Sequence, residues 1–231
     1  MSPALRLAPL AALLLATGCA TQSGFGRARA LPENTGELGA IVQGSLASVK
    51  LSPAEPVPLP WVQVGLGYHE GLGRGLEVGG RLWVSSLLSA KTFGLAADAK
   101  LQLDSVSGPE DRFDLAVGAS LAYQRDSLGG FPWHSATLTV PLLCGLNLGK
   151  HQLVFGPRAG AAFTGSQGQN PLLIGYGGLS LAFAAQVSER LSFTPELVLL
   201  YSPISFNGTR DDPSRKGASL LELGLGLDYA W

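Results

Sequence analysis

The 231-residue chain predicts an all-β protein, a single closed antiparallel β-barrel of about ten strands. Three observations carry that expectation. From residue 36 onward apolar residues recur at every second position, the period of a strand whose two faces differ. Across ten such rows no Asp, Glu, Lys or Arg takes the apolar parity, while Glu77, Arg81, Asp98, Lys100, Asp114, Arg158, Glu196, Glu222 and Asp228 all fall on the other. Ten is also an even number, so the first and last strands can pair antiparallel and leave no open edge.

Composition narrows the setting. With 46% hydrophobic and only 14% charged residues the chain is too apolar to be disordered and poor in charge for a soluble protein. The 16 basic and 17 acidic residues leave a net charge of -1, which gives no attraction for nucleic acid. Beyond the N-terminal segment no apolar run reaches the roughly 18 residues of a spanning helix, so any passage through a membrane would be made by strands.

Residues 1–18 read as a signal peptide, with Arg6 ahead of an apolar stretch and small residues leading to Cys19. Residues 19–35 mix Gly, Arg, Pro and polar residues without periodicity and are expected to form a flexible tether. Residues 36–231 form the barrel. Its first row is Leu38, Ala40, Val42, Gly44 and Leu46; the second is Val62, Val64, Leu66 and Tyr68; the third is Leu76, Val78, Gly80, Leu82 and Val84. The fourth carries Phe93, Leu95, Ala97, Ala99, Leu101 and Leu103, and the fifth Phe113, Leu115, Val117, Ala119, Leu121 and Tyr123. Ala136, Leu138, Val140, Leu142, Cys144 and Leu146 make the sixth, and Leu153, Phe155, Pro157, Ala159, Ala161 and Phe163 the seventh. The eighth has Leu173, Leu179, Leu181, Phe183 and Val187, and the ninth Leu191, Phe193, Leu197, Leu199 and Tyr201. The tenth is the clearest, with Leu223, Leu225, Leu227, Tyr229 and Trp231 set against Glu222, Gly224, Gly226, Asp228 and Ala230.

That last strand resembles the final strand of Gram-negative outer-membrane β-barrels, whose insertion signal is an aromatic last residue, an aromatic or apolar one two before it, and alternating apolar residues upstream. Leu223, Leu225, Leu227, Tyr229 and Trp231 match it at each position. The resemblance implies an integral barrel of the outer membrane, in contact with its lipids and delivered by the barrel-assembly machinery, and expected to be a monomer. The segment Ala16-Thr17-Gly18-Cys19 is similar to the lipobox of bacterial lipoproteins, which implies lipid attachment at Cys19 by the lipoprotein-processing machinery. The alternative is an ordinary precursor cut after Ala20, with no lipid.

Alternation alone is the same for a membrane barrel and for a soluble one turned inside out. Aromatic positions and loop lengths distinguish them. With both termini in the periplasm, Tyr68, Phe113, Phe155, Phe193, Tyr229 and Trp231 lie near one rim and Phe93, Tyr123, Phe163 and Tyr201 near the other, the two girdles of a membrane barrel. The turns at 147–150 and 188–190 are short and the connections at 48–60 and 202–217 long, although 104–112 is longer and 86–91 shorter than that orientation prefers.

A barrel this narrow fills with side chains before it admits water. Arg81, Asp98, Arg158 and Glu196 are expected to meet near mid-lumen, with Lys100, Glu77 and Glu222 above or below. The role this supports is structural or at the surface, with a largely plugged lumen; a narrow pore for small solutes and a soluble barrel lipoprotein are the alternatives. A lipid-modifying enzyme or protease is the least supported. His134 beside Ser135 at the outer rim is its one candidate base, near Asp126, Asp211 and Asp212, whereas His69 and His151 fall in periplasmic turns. No catalytic, cofactor or metal site is expected: the three histidines are isolated, and Cys144 sits in an apolar row.

Overall fold

The computed structural model describes residues 26–49, 57–87, 90–103, 112–128, 131–166, 172–202 and 218–231. These form ten strands: β1 Gly36–Val49, β2 Val57–Gly73, β3 Leu76–Leu87, β4 Ala90–Gln102, β5 Phe113–Leu128, β6 Phe131–Leu148, β7 His151–Ser166, β8 Leu172–Gln186, β9 Leu191–Ser202 and β10 Ala218–Ala230. Each pairs antiparallel with its neighbours in sequence, and β1 closes on β10 from Glu37↔Ala230 to Val49↔Ala218. The expected closed ten-stranded barrel is the observed one. Signal peptide, Cys19, Asp211 and Asp212 lie outside the described residues.

The strands run further than their apolar rows. β1 reaches Val49 and β2 begins at Val57, so the expected connection over 48–60 contracts to 50–56. β2 also continues past Tyr68 to Gly73, where Gly73, Arg74 and Gly75 all take positive φ and turn the chain into β3. Gly149 at positive φ does the same between β6 and β7. These turns and Val187–Leu191, closed by a 2.8 Å bond from the Val187 amide to the Leu191 carbonyl, lie at the terminal end of the barrel, where β1 begins and β10 ends.

Which face is inside is now fixed by exposure. Leu121, Leu223 and Leu173 are 60% exposed or more, while Glu222, Asp114 and Gln124 are at or below 1%. The apolar rows face outward on every strand and the polar parity lines the lumen. A water-soluble barrel has the reverse arrangement, because an exterior of Leu, Val and Phe would leave a large apolar area in water. This exterior needs hydrocarbon. The barrel also satisfies the condition for entering it, since strands closed into a cylinder leave no unpaired edge.

Candidate functional site

Of the seven charged residues expected to fill the lumen, six form three separate ion pairs and the seventh, Glu222, meets a hydroxyl. Arg81 on β3 forks onto Asp98 on β4, with Nε 2.6 Å from Oδ2 and Nη2 2.8 Å from Oδ1, and Nη2 also donates to Ser120 Oγ at 3.0 Å. His69 Nε2 stands 3.7 Å from the same Asp98 oxygen. On the opposite wall Arg158 of β7 reaches over the small inward residues of β8, Gly178 and Ser180, to place Nη2 2.7 Å from Glu196 Oε1 on β9. Lys100 Nζ lies 2.7 Å from Glu77 Oε2, and Glu222 accepts from Ser45 Oγ at 3.2 Å. Arg81, Asp98, Arg158, Glu196, Lys100, Glu77 and Glu222 are all buried. Buried charges are tolerable in such a place only when paired, and Arg81–Asp98 in particular has the two-point geometry that makes pairing strong.

Residues 26–35 occupy a place that the tether expectation did not give them. From Gly26, against Thr194, the segment crosses the terminal end of the lumen. The Ala28 amide donates to Gln152 Oε1 at 2.7 Å, the Ala30 amide to Gln102 Oε1 at 3.1 Å and the Leu31 amide to Glu77 Oε2 at 3.0 Å. Lys100 Nζ donates to the Arg27 and Arg29 carbonyls at 3.2 and 3.4 Å. The Arg29 side chain pairs with Asp114 at 3.1 Å, and Arg27 approaches Glu37 at 4.0 Å. Ala28 is 0% exposed, packed with Ala116, Leu143, Val154 and Ala182. Pro32 then runs so close over β2 that a side chain on Gly71 would collide with its carbonyl oxygen, and Asn34, at positive φ, turns the chain into β1. From Gly26 onward this is a strap held across the lumen. The physical reason is that a segment without a ladder must find partners for its amides and carbonyls, and the charged wall supplies them.

The distal part of the lumen is filled differently. Trp83, 0% exposed, packs on Ala96 and Ala122 with its ring over Gly94, and its Nε1 donates to Gln124 Oε1 at 3.2 Å. Gln124 Nε2 donates in turn to Asp126, as does Thr92 Oγ1. Tyr176 and Thr139 share a 2.6 Å hydroxyl contact.

The histidines fall in three settings. His69 lies in the lumen and not in a turn, because β2 extends beyond it and its parity is the inward one. His151 opens β7, meets the Phe183 ring in a tilted contact at 5.8 Å and accepts from the Gln186 amide. His134 faces outward, with Nδ1 against the Tyr123 hydroxyl at 2.5 Å, while Ser135 points into the lumen at 2% exposure. Neighbours in sequence on a strand point to opposite faces, so His134 cannot reach the Ser135 hydroxyl across the wall. Among the described residues no group of three or more His, Cys, Asp or Glu could hold a metal. On β10, Leu223, Leu225, Leu227, Tyr229 and Trp231 all face outward, and the Trp231 ring stacks on Tyr68 of β2 at 5.9 Å and on Tyr229 at 6.5 Å.

A closed antiparallel barrel with an apolar exterior and a polar, ion-paired lumen is the architecture of a transmembrane β-barrel, and the fold is that of Gram-negative outer-membrane barrels. No protein-family model and no curated protein matches the sequence. Among solved structures the chain is similar to the β-domain of the Bordetella autotransporter BrkA, with a TM-score of 0.51 and 8% identity over 86% of this chain and 100% of that one. It is also similar to the outer membrane protease OmpT from Escherichia coli, with a TM-score of 0.46 and 11% identity over 89% and 100% of the two chains. For Neisserial surface protein A the TM-score is 0.43 and the identity 13%, over 85% and 99%. At these identities the likeness is one of fold.

Proposed function

We propose that this barrel is a structural or surface protein of the outer membrane, anchored additionally by a lipid on Cys19, with a lumen closed to solutes and no catalytic role. The observation that carries the reading is the strap: Ala28 is fully enclosed at the terminal end of a lumen whose wall groups are committed to one another and to the strap backbone. The lipid fits this geometry. Six residues lie between Cys19 and Gly26, and the seven steps reach about 25 Å when extended, enough to lead from the lumen mouth to the adjacent leaflet. Its partners on this reading are outer-membrane lipids and the barrel-assembly and lipoprotein-processing machineries, and it works as a monomer. Leu223, Leu225, Leu227, Tyr229 and Trp231 act as the insertion signal. The separation of His134 from Ser135 supports a non-catalytic role.

Planar bilayers test the closed lumen. The full chain should show little steady conductance, and deleting residues 26–33 or replacing Arg81→Ala should raise it. A large stable channel in the unaltered protein would replace this reading with the narrow pore for small solutes. Incorporation of labelled fatty acid tests the anchor: Cys19→Ser should abolish it, and an unlabelled wild type with its N-terminus at Thr21 would remove the lipid from the proposal.

A further inference from the structure

The outward parity of β5 does not end at Tyr123. Its next member is Arg125, exposed on the exterior wall. In register, Arg125 stands between Phe93 on β4 and His134 on β6, both also outward, and Lys91 lies one outward step beyond Phe93. Three basic side chains on three adjacent strands therefore share one patch of the wall. Among the described residues neither Arg125 nor Lys91 has an ion-pair partner, and the neighbouring Asp126 faces the lumen, held by Thr92 and Gln124.

Depth gives the patch its meaning. A strand tilted by about 40° climbs about 2.5 Å per residue, so the ten steps from Phe113 to Tyr123 span about 25 Å, the full height of an apolar band. Arg125 and His134 stand about 5 Å above that band, and Lys91 higher still. This is headgroup level, on the side away from the short turns and the termini. Below it small and aromatic residues share the outer wall: Ala136 lies between Tyr123 and Phe163 in register, and Gly165 sits opposite His134, so apolar surface continues directly beneath the charges. In the tautomer whose Nδ1 accepts the Tyr123 hydroxyl proton, His134 keeps Nε2–H as a donor directed outward.

We propose that Lys91, Arg125 and His134 bind the phosphate of an anionic lipid in the distal leaflet, with an acyl chain lying over Ala136 between Tyr123 and Phe163. The site rests on the membrane orientation given above and goes beyond the structural role, because it selects one class of lipid. Arg125 supplies the fork that matches phosphate oxygens, Lys91 a second charge and His134 a further N–H donor.

Native mass spectrometry of the full chain, released from phosphatidylcholine bilayers containing one-tenth phosphatidic acid, reads the selection. The wild type should retain phosphatidic acid in preference, and Lys91→Gln with Arg125→Gln should reduce that preference about tenfold. Arg74→Gln with Lys150→Gln, which removes two charges at the opposite rim, should leave it unchanged, and Arg125→Lys should keep most of it. Heat-modifiable gel mobility checks that each variant is an assembled barrel; should the double Gln variant not assemble, Arg125→Ala alone carries the comparison. Equal retention of the two lipids by the wild type, or an equal loss in the opposite-rim control, would overturn the site. Displacement of the lipid by millimolar inorganic phosphate would overturn the lipid as its ligand. A barrel that inserts but does not select sinks this proposal alone; one that does not insert sinks the membrane reading.

Discussion

Toward the chain termini the lumen is lined by ion pairs, Lys100 with Glu77, Arg81 with Asp98 and Arg29 with Asp114. Toward the other end it is filled chiefly by neutral groups, Trp83 on Gln124 and Tyr176 on Thr139, among Ile174, Leu200 and Leu220, with Asp126 a charged exception. The difference follows from what each half must hold. At the distal end side chains meet side chains, and neutral hydrogen bonds with apolar packing are enough. At the terminal end the wall holds a piece of backbone that belongs to no ladder, and each of its exposed amides and carbonyls needs a strong partner. Charge here serves as a docking surface for the protein's own N-terminal segment, more than as a lattice of mutual pairs.

Arg81→Ala should give the largest effect on that contrast. It leaves Asp98 buried without its fork partner, at a cost of about 3 to 5 kcal/mol, read as a lowered urea midpoint in lipid vesicles. Little change would mean that the terminal half is not held by charge. Glu77→Gln comes next, at about 2 kcal/mol, because it weakens both the Lys100 pair and the acceptor for the Leu31 amide. Hydrogen exchange should quicken at Ala28, Ala30 and Leu31 in this variant. Tyr176→Phe should cost least, about 1 kcal/mol, and leave strap exchange untouched. If it released the strap as well, the two halves would be one cooperative unit and the distinction would fall.

Strands and the contrast between their two faces were legible in the sequence because a period of two is a local signal, present in each stretch without reference to any other; which face turns inward is not in that period. The partners Arg81 and Asp98 were legible for the same reason: they share parity and depth on adjoining strands. His69 was misplaced because the apolar row of β2 stops at Tyr68, while the backbone continues through Glu70, Gly71 and Leu72. Parity would have put it in the lumen. Arg125 gives no such signal, because the apolar row of β5 ends at Tyr123, one step short of the charge. The strap left no local trace, since its partners Gln152, Asp114, Gln102 and Glu77 are 124, 85, 72 and 46 residues away. Without periodicity it reads like any linker, and only the assembled wall shows what it binds.

The seam between β1 and β10 constrains the order in which the molecule can be made. The other neighbouring pairs join strands adjacent in the chain and can zip as hairpins, but this seam must bring together the two most distant strands, which makes it a slow, late event. The strap is continuous with β1 and lies within the ring that the seam completes. Threading a finished cylinder with that segment would require its charged side chains to find their partners through a mouth already narrowed by the wall. The economical sequence is the opposite one: the open sheet captures residues 26–35 on Asp114, Glu77 and Lys100 while it is still curling, and the strap then delivers β1 to the edge of β10. The N-terminal segment would thus act as a built-in folding template before it becomes a filler.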